Sequence, residues 1–310
     1  MHKQQTTGLQ LNTERFNPRY SSIDVWDPAD ILDSIIEGQF AAVAAVHAAR
    51  PAIESAAVAM EERLRNQGRL VYVGAGTSGR LAVQDGAELM PTFGWPDDRL
   101  LLLIAGGRDA LLQSIEGSED AVDQAVQLVD RHNIGADDVL IAVAASGTTP
   151  FTLACLTEGK RRGALTVGIA NNAATPILEE SHHAIWLDTG GEPIAGSTRL
   201  KAGTAQKITL NALSSLLMIR LGKVYRGLMV DVQVLNEKLA RRGEEMLVQL
   251  SGSSRSDAHG ALKRADGNVK IAALLLHGCD LESATKLLNR SGGQLRGALD
   301  LIRDFGSDAA

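Results

Sequence analysis

Apolar positions along this chain change their period twice, and the changes outline three regions. Across 29–66, Ile31, Leu32, Ile35 and Ile36, then Phe40, Val43 and Val46, recur at three- and four-residue steps, the spacing of a helix with one apolar face. Pro51 breaks that run; Ile53, Val58 and Leu64 continue it as a second helix that stops before Gly68. The pattern then becomes a series of short apolar runs at 69–73, 100–105, 139–145, 165–170 and 184–187. None alternates with polar residues, and most are separated by helical stretches, including 118–132, opened by Ser118 and Glu119, and one from Pro150 to about 162. Strands of that kind belong to a parallel sheet covered by helices on both faces. A broad apolar helix follows at about 204–221, and beyond 236 every periodic stretch is helical, broken at Ser251-Gly252-Ser253-Ser254, Asp266-Gly267, Gly278 and Gly292-Gly293. Asp280 is placed to cap a helix over 281–289. The expected fold is therefore α/β, a parallel sheet sandwiched by helices, with a small all-helical C-terminal domain. The expected division is a helical segment 1–57, a ligand-binding domain 58–235 and a helical domain 236–310.

Composition narrows the function. Over 310 residues, hydrophobic residues make up 45% and aromatic residues only 4%, so the core must be aliphatic. The net charge of −6 argues against a protein that wraps nucleic acid, which needs a basic surface to displace counterions. Cys155 and Cys279 are far apart and form no CxxC pair, which excludes a disulfide framework and a thiolate zinc site and fits a reducing cytosol. The polar start Met1-His2-Lys3-Gln4-Gln5 leads into no apolar signal core. Uninterrupted apolar runs are strand-sized, so no membrane partner is expected and the chain reads as cytoplasmic.

Candidate chemistry gathers in the loops that leave the strands. Gly74-Ala75-Gly76-Thr77-Ser78-Gly79 satisfies GxGxxG between a strand and a helix, which raises a dinucleotide-binding fold. That fold wants an acidic residue at the end of the second strand to hold a ribose, and here the strand runs into Gly106-Gly107-Arg108. A second loop, Ser146-Gly147-Thr148-Thr149, occupies the same place after the third strand and also opens a helix. Two hydroxyl-rich loops at one end of a sheet suit a phosphosugar better than a dinucleotide, because amides at a helix start attract phosphate and hydroxyls match hydroxyls. Thr77, Ser78, Ser146, Thr148 and Thr149 are the candidate binding residues, with Lys201 (and Arg199) as compensating charge or as plain surface cations. Glu88 and Glu119 are carboxylates near these loops, but spacing alone does not raise them above Asp85, Glu116 or Asp120. No HxxH or HExxH spacing occurs, so no metal is assigned, and no cofactor is called for.

Two long motifs then bring a family into view. Gly74-Ala75-Gly76-Thr77-Ser78-Gly79-Arg80-Leu81, with Glu88 and Pro91-Thr92-Phe93-Gly94 after it, resembles the signature of N-acetylmuramic acid 6-phosphate etherases. So does Ile194-Ala195-Gly196-Ser197-Thr198-Arg199-Leu200-Lys201-Ala202-Gly203-Thr204-Ala205-Gln206-Lys207. Thr13-Glu14-Arg15, Ile104-Ala105-Gly106-Gly107, Glu116-Gly117-Ser118-Glu119-Asp120 and Leu228-Met229-Val230-Asp231-Val232 fall in the family's order. The resemblance implies a sugar-isomerase (SIS) domain with a small C-terminal helical domain of ubiquitin-associated-like type. It also implies a lyase of cell-wall recycling that cleaves the D-lactyl ether of N-acetylmuramate 6-phosphate to N-acetylglucosamine 6-phosphate and D-lactate. The family's catalytic glutamates map onto Glu88, as the acid for departing lactate, and Glu119, as the base at C2. Both are expected at the same end of the sheet, in a homodimer. The chain departs from the family's usual wording at Gly86-Ala87-Glu88-Leu89-Met90-Pro91, at Thr148, where Arg is common, and at Gly190-Gly191-Glu192. Two rival readings keep the same loops: a non-catalytic sugar-phosphate-binding regulator, and an aldose–ketose isomerase.

Overall fold

A computed structural model describes residues 11–232 and 237–307. The polar start at 1–5 and the expected boundary at 235/236 lie outside the described residues. The chain forms two compact units, one of Met1–Gly86 with Asp98–Ser214, the other of Ala87–Asp97 with Ser215–Ala310.

The first unit is built on a five-stranded parallel sheet: β1 (Leu70–Gly74), β2 (Leu100–Ile104), β3 (Val139–Val143), β4 (Leu165–Ala170) and β5 (His183–Trp186), in the order β2-β1-β3-β4-β5. β1 and β3 are buried along their whole length, which is why their sequences carry no polar alternation. On one face, Val71, Val73, Leu140 and Ala142 join a core with Ala125 and Val129 of α5 (Val122–Arg131) and with Phe151, Cys155 and Leu156 of α6 (Pro150–Arg161). Burial pushes the Cys155 thiol up to about 12. β1 lies between β2 and β3, so the chain leaves it in opposite directions. In open α/β sheets, ligands settle beyond the carboxyl ends of the strands at such a reversal.

Two helices precede the sheet, α1 (Pro28–Ala48) and α2 (Arg50–Arg65), parted near Pro51 as the periodicity predicts. The longest uninterrupted apolar run of α1, 40–46, is strand-sized, yet over an 18-residue window its mean hydropathy reaches 1.3, and among the described residues it is the helix long and apolar enough to cross a membrane. Ser34, Ala42, Ala45 and Val46 are buried, whereas Leu32, Ile36, Phe40 and Val43 form an exposed stripe, Phe40 being 73% exposed.

The helix expected over 118–132 is split. Ser118–Asp120 makes a 3-10 turn after Gly117 (φ 69°), and Ala121 (ψ 66°) interrupts the chain before α5 begins. Glu119 is therefore on a tight turn and not in the first turn of an α-helix. The long helix α8 (Lys201–Arg220) starts three residues earlier than its periodicity suggests, for a reason given below.

The second unit packs five helices, α9 (Glu237–Ser251), α10 (Arg255–Arg264), α11 (Val269–Leu276), α12 (Leu281–Arg290) and α13 (Leu295–Ser307). They share one aliphatic core that includes Leu247, Ala272, Leu274 and Ala298. Their breaks fall at the expected glycines, and Asp280 caps α12 by accepting from the Ser283 amide at 2.7 Å. An unexpected hairpin precedes them: β6 (Val224–Tyr225) and β7 (Leu228–Met229), antiparallel, turn through Arg226 and Gly227, both with positive φ. Two-residue strands are too short to leave a period in the sequence.

Candidate functional site

The first glycine loop leaves β1 and enters α3 (Gly76–Ala87). A Cβ on Gly74 would lie 2.7 Å from the Gly79 Cα, and one on Gly79 would lie 2.8 Å from the Gly74 carbonyl carbon, so the first and last glycines let helix and strand touch. Gly76 has φ 51°, and a Cβ there would lie 2.9 Å from Glu119 Oε1. The exposed Glu119 carboxylate thus lies over the start of α3. Sequence separates the two by more than forty residues; the turn at 117–120 brings them together.

The hydroxyl loop leaves β3, the neighbour of β1, and opens α6. Gly74 and Val143 are register partners, so the two loops adjoin at the carboxyl edge of the sheet, astride the reversal of strand order. Ser146 Oγ accepts from the Thr148 amide at 3.2 Å and shares a hydrogen bond with Thr149 Oγ1 at 3.3 Å. Gly147 (φ 73°) is pinned against Thr175, whose side chain leaves no room for a Cβ, and its carbonyl accepts from the Ile177 amide at 3.1 Å. The loop is rigid before any ligand arrives. Ser78 is buried in the first turn of α3, while Thr77 faces α8, its methyl carbon 3.5 Å from where a Gly203 Cβ would sit.

The third loop, 188–200, ends in a cap that the sequence reading missed. Glu192 is 1% exposed, and its carboxylate accepts from the amides of Lys201 (3.2 Å) and Ala202 (2.9 Å). This satisfies two orphan donors at the start of α8 and explains the early start of that helix. Burial raises the Glu192 carboxyl above its ordinary value, opposed by those two amides and by the nearby Lys201 charge. The Lys201 stem runs along α1, its Cδ 3.5 Å from where a Gly38 Cβ would be. The same loop packs on the N-terminal segment: Gly196 donates to Thr13 O at 3.2 Å, and Glu14 Oε2 lies 2.8 Å from where its Cβ would be.

Asn172, just past β4, ties these loops together. It exchanges hydrogen bonds with Thr13 and donates to Ala145 O at 2.9 Å. Its neighbour Asn171 accepts from Gln206 of α8 at 2.9 Å. The one available sequence signal was a pair of amides closing an apolar strand. Asp85, also unsingled by sequence, is buried near the end of α3. It accepts from Tyr72 (2.8 Å), Asn211 (2.6 Å) and Ser214 (3.1 Å), locking α3 to α8, and burial together with this carboxylate holds the Tyr72 phenol well above its ordinary range.

Glu88 is exposed and sits between α3 and the short helix α4 (Leu89–Phe93), where its carbonyl accepts from the Thr92 amide at 3.2 Å. That stretch belongs to the second unit. Thr77, Ser78, Ser146, Thr148, Thr149, Lys201 and Glu119 all belong to the first. Among the described residues no cluster of His, Cys, Asp and Glu is arranged to hold a metal ion.

Comparison with known proteins fits this geometry. Residues 52–160 match the glucokinase regulatory protein N-terminal SIS domain family, and residues 108–216 match the SIS domain family. With the sheet order and the paired loops, these matches define a SIS-domain protein. The N-acetylmuramic acid 6-phosphate etherase of Deinococcus radiodurans is 47% identical over 299 residues, covering 96% of this chain and 98% of that one. The etherases of Streptomyces avermitilis and Enterobacter sp. (strain 638) are 44% and 40% identical, covering 93% and 94% of this chain and 93% and 98% of theirs. The chain belongs to the N-acetylmuramic acid 6-phosphate etherase family.

Proposed function

We propose that this chain is a carbon–oxygen lyase that converts N-acetylmuramate 6-phosphate and water to N-acetylglucosamine 6-phosphate and D-lactate, in the recycling of cell-wall amino sugar. The observation that carries the reading is the Glu119 carboxylate beside Gly76, in a first unit that also carries the hydroxyl loop 146–149, in a chain related to etherases along nearly its whole length. The substrate's phosphate lies against the amides and hydroxyls of 146–149, with Ser146, Thr148 and Thr149 as ligands, and the sugar hydroxyls face Thr77 and Ser78. Lys201 supplies positive charge from the start of α8.

Opening the sugar ring exposes an aldehyde that acidifies the C2 proton. Glu119 takes that proton as general base, the C3–O bond breaks, and Glu88 protonates the departing lactyl oxygen as general acid. Water then adds at C3 of the unsaturated aldehyde while a proton returns to C2, so the sum is hydrolysis without redox change. Each carboxyl ends in the state in which it began.

The working protein is a homodimer in the cytoplasm, without nucleic acid or membrane partners. The exposed Leu32-Ile36-Phe40-Val43 stripe supports the pairing and gives α1 a protein surface, not lipid, to cover it. The free thiols of Cys155 and Cys279 and the net charge of −6 support the location and the absence of nucleic acid. Residues 58–235 carry the phosphosugar chemistry, between a helical segment 1–57 and a helical domain 236–310.

Release of D-lactate from N-acetylmuramate 6-phosphate tests the reading. Glu119→Gln and Glu88→Gln should each lower turnover by roughly 10²–10⁴-fold, the usual worth of general acid–base catalysis, with the fold intact by circular dichroism. Tight sugar-phosphate binding without lactate release would make the chain a regulator. Interconversion of aldose and ketose phosphates would make it an isomerase.

A further inference from the structure

The β6–β7 hairpin and the start of α13 enclose a cavity of about 460 Å³, lined by Ile219, Gly222, Tyr225, Arg226, Gln294 and Arg296 among others. Its lining residues all belong to the second unit. Two cations converge there. The guanidinium carbons of Arg226 and Arg296 stand 5.4 Å and 5.0 Å from the centroid of the buried Tyr225 ring. The ring attracts each of them, and their distances to it keep the two charges at most about 10 Å apart.

Neither guanidinium has a carboxylate partner among the described residues, although neighbouring cations do. Lys223 and Lys270 share Asp231 at 2.6 and 2.9 Å, and Arg255 meets Glu244 at 3.2 Å. The mutual repulsion of Arg226 and Arg296 is therefore unanswered among the described residues. The walls that hold them are firm. Gly222 is packed so closely that a Cβ would lie 2.9 Å from Gln294 Cγ, and the hairpin tip is fixed by positive φ at Arg226 (50°) and Gly227 (77°). α13 opens at Leu295, so its first amides add donors that no carbonyl of that helix can accept.

We infer that this cavity binds a small phosphate-bearing anion, held between the Arg226 and Arg296 guanidiniums as a second site on the helical domain. Two planar five-donor forks facing one hollow match the oxygens of a phosphomonoester, and the volume admits a hexose phosphate. A nucleic acid would need a basic track, which a chain of net charge −6 with its neighbouring cations already paired does not offer.

The test titrates inorganic phosphate, and separately glucosamine 6-phosphate, into the full-length ¹⁵N-labelled protein and follows the amides of Gly222, Gly227 and Arg296. Saturable shifts at these three amides are expected. The double variant Arg226→Ala/Arg296→Ala, altered only at exposed side chains, should weaken that binding at least about tenfold, the equivalent of losing one charged hydrogen bond. Resonances of Ser146 and Thr149, in the other unit, report the first site separately and should respond in the double variant as they do in the parent. Tighter binding of the sugar phosphate than of phosphate would identify an organic phosphate as the ligand, and equal binding would identify the free ion. No saturable shift at the three amides, or an unchanged affinity in the double variant, overturns the inference.

Discussion

Asn172 and Thr13 lie 159 residues apart in sequence and hold each other by two hydrogen bonds. The Thr13 amide donates to Asn172 Oδ1 at 3.1 Å, and Asn172 Nδ2 donates to Thr13 Oγ1 at 2.9 Å. Because Nδ2 also donates to Ala145 O at 2.9 Å, one side chain joins the N-terminal segment to the loop that carries Ser146. Asn172→Leu would leave the Thr13 amide without its partner and the Ala145 carbonyl with the Asn171 amide alone. A loss of about 1–3 kcal/mol is expected in urea denaturation, with faster hydrogen exchange at 12–15 and a higher KM. Unchanged exchange in that segment would show that something else holds it.

Gly76 and Glu119 are a second such pair. Gly76→Ala places a methyl group 2.9 Å from Glu119 Oε1, on a backbone with φ 51°. The strain should cost only about 1 kcal/mol, because the carboxylate end of Glu119 can yield. Turnover should fall by about tenfold or more, since displacing a reacting group by a fraction of an ångström has large kinetic effects. A variant as active as the parent would separate Glu119 from the chemistry.

The α1 stripe gives a third expectation. Leu32, Ile36, Phe40 and Val43 are each more than half exposed, so a charge among them disturbs little within one chain. Light scattering should report a dimer for the parent and a monomer for Phe40→Glu, with near-native thermal stability per chain. A monomeric parent, or a dimeric variant, would move the contact elsewhere.

Lys270 supplies a pH test. It is buried, donates to Gly293 O at 2.8 Å and pairs with Asp231 at 2.9 Å. Burial lowers its pKa below the ordinary 10.5, and the Asp231 charge opposes that shift. A depressed folded pKa means that the folded state holds this proton less tightly than the unfolded chain does. Its contribution to stability is therefore greatest above 10.5 and declines as pH falls. Asp231→Asn removes the opposing charge and widens that window downward. The variant should lose about 3 kcal/mol at pH 7 and recover part of it by pH 10, read by denaturant titrations at each pH. A loss that does not change with pH would point to packing in place of charge.

Residues that act through near neighbours were legible in the sequence. The apolar strands, the two glycine-hydroxyl loops after β1 and β3, and the helix breaks at Gly278 and Gly292-Gly293 all leave local patterns, and the structure has them within two residues or so. What was not legible depends on distant partners. Glu192 has no helical context of its own, yet it caps a helix nine residues later. Thr13 and Asn172 need each other, and Asp85 draws its meaning from Tyr72, Asn211 and Ser214. Glu119 was singled out only by family likeness, since the 3-10 turn that aims it at Gly76 has the composition of any helix start. The average hydropathy of α1 was hidden for a different reason: acidic residues scattered through its first half break it into short runs, and only a long window reveals it.

The carboxylate cap at α8 decides which helix starts of the first unit still have free amides. With both Glu192 oxygens seated on the amides of Lys201 and Ala202, those two donors at the helix start are already taken. α6, by contrast, begins at Thr149 without a side-chain cap. In the function proposed above, the phosphate would therefore be left to the start of α6 and its hydroxyl loop.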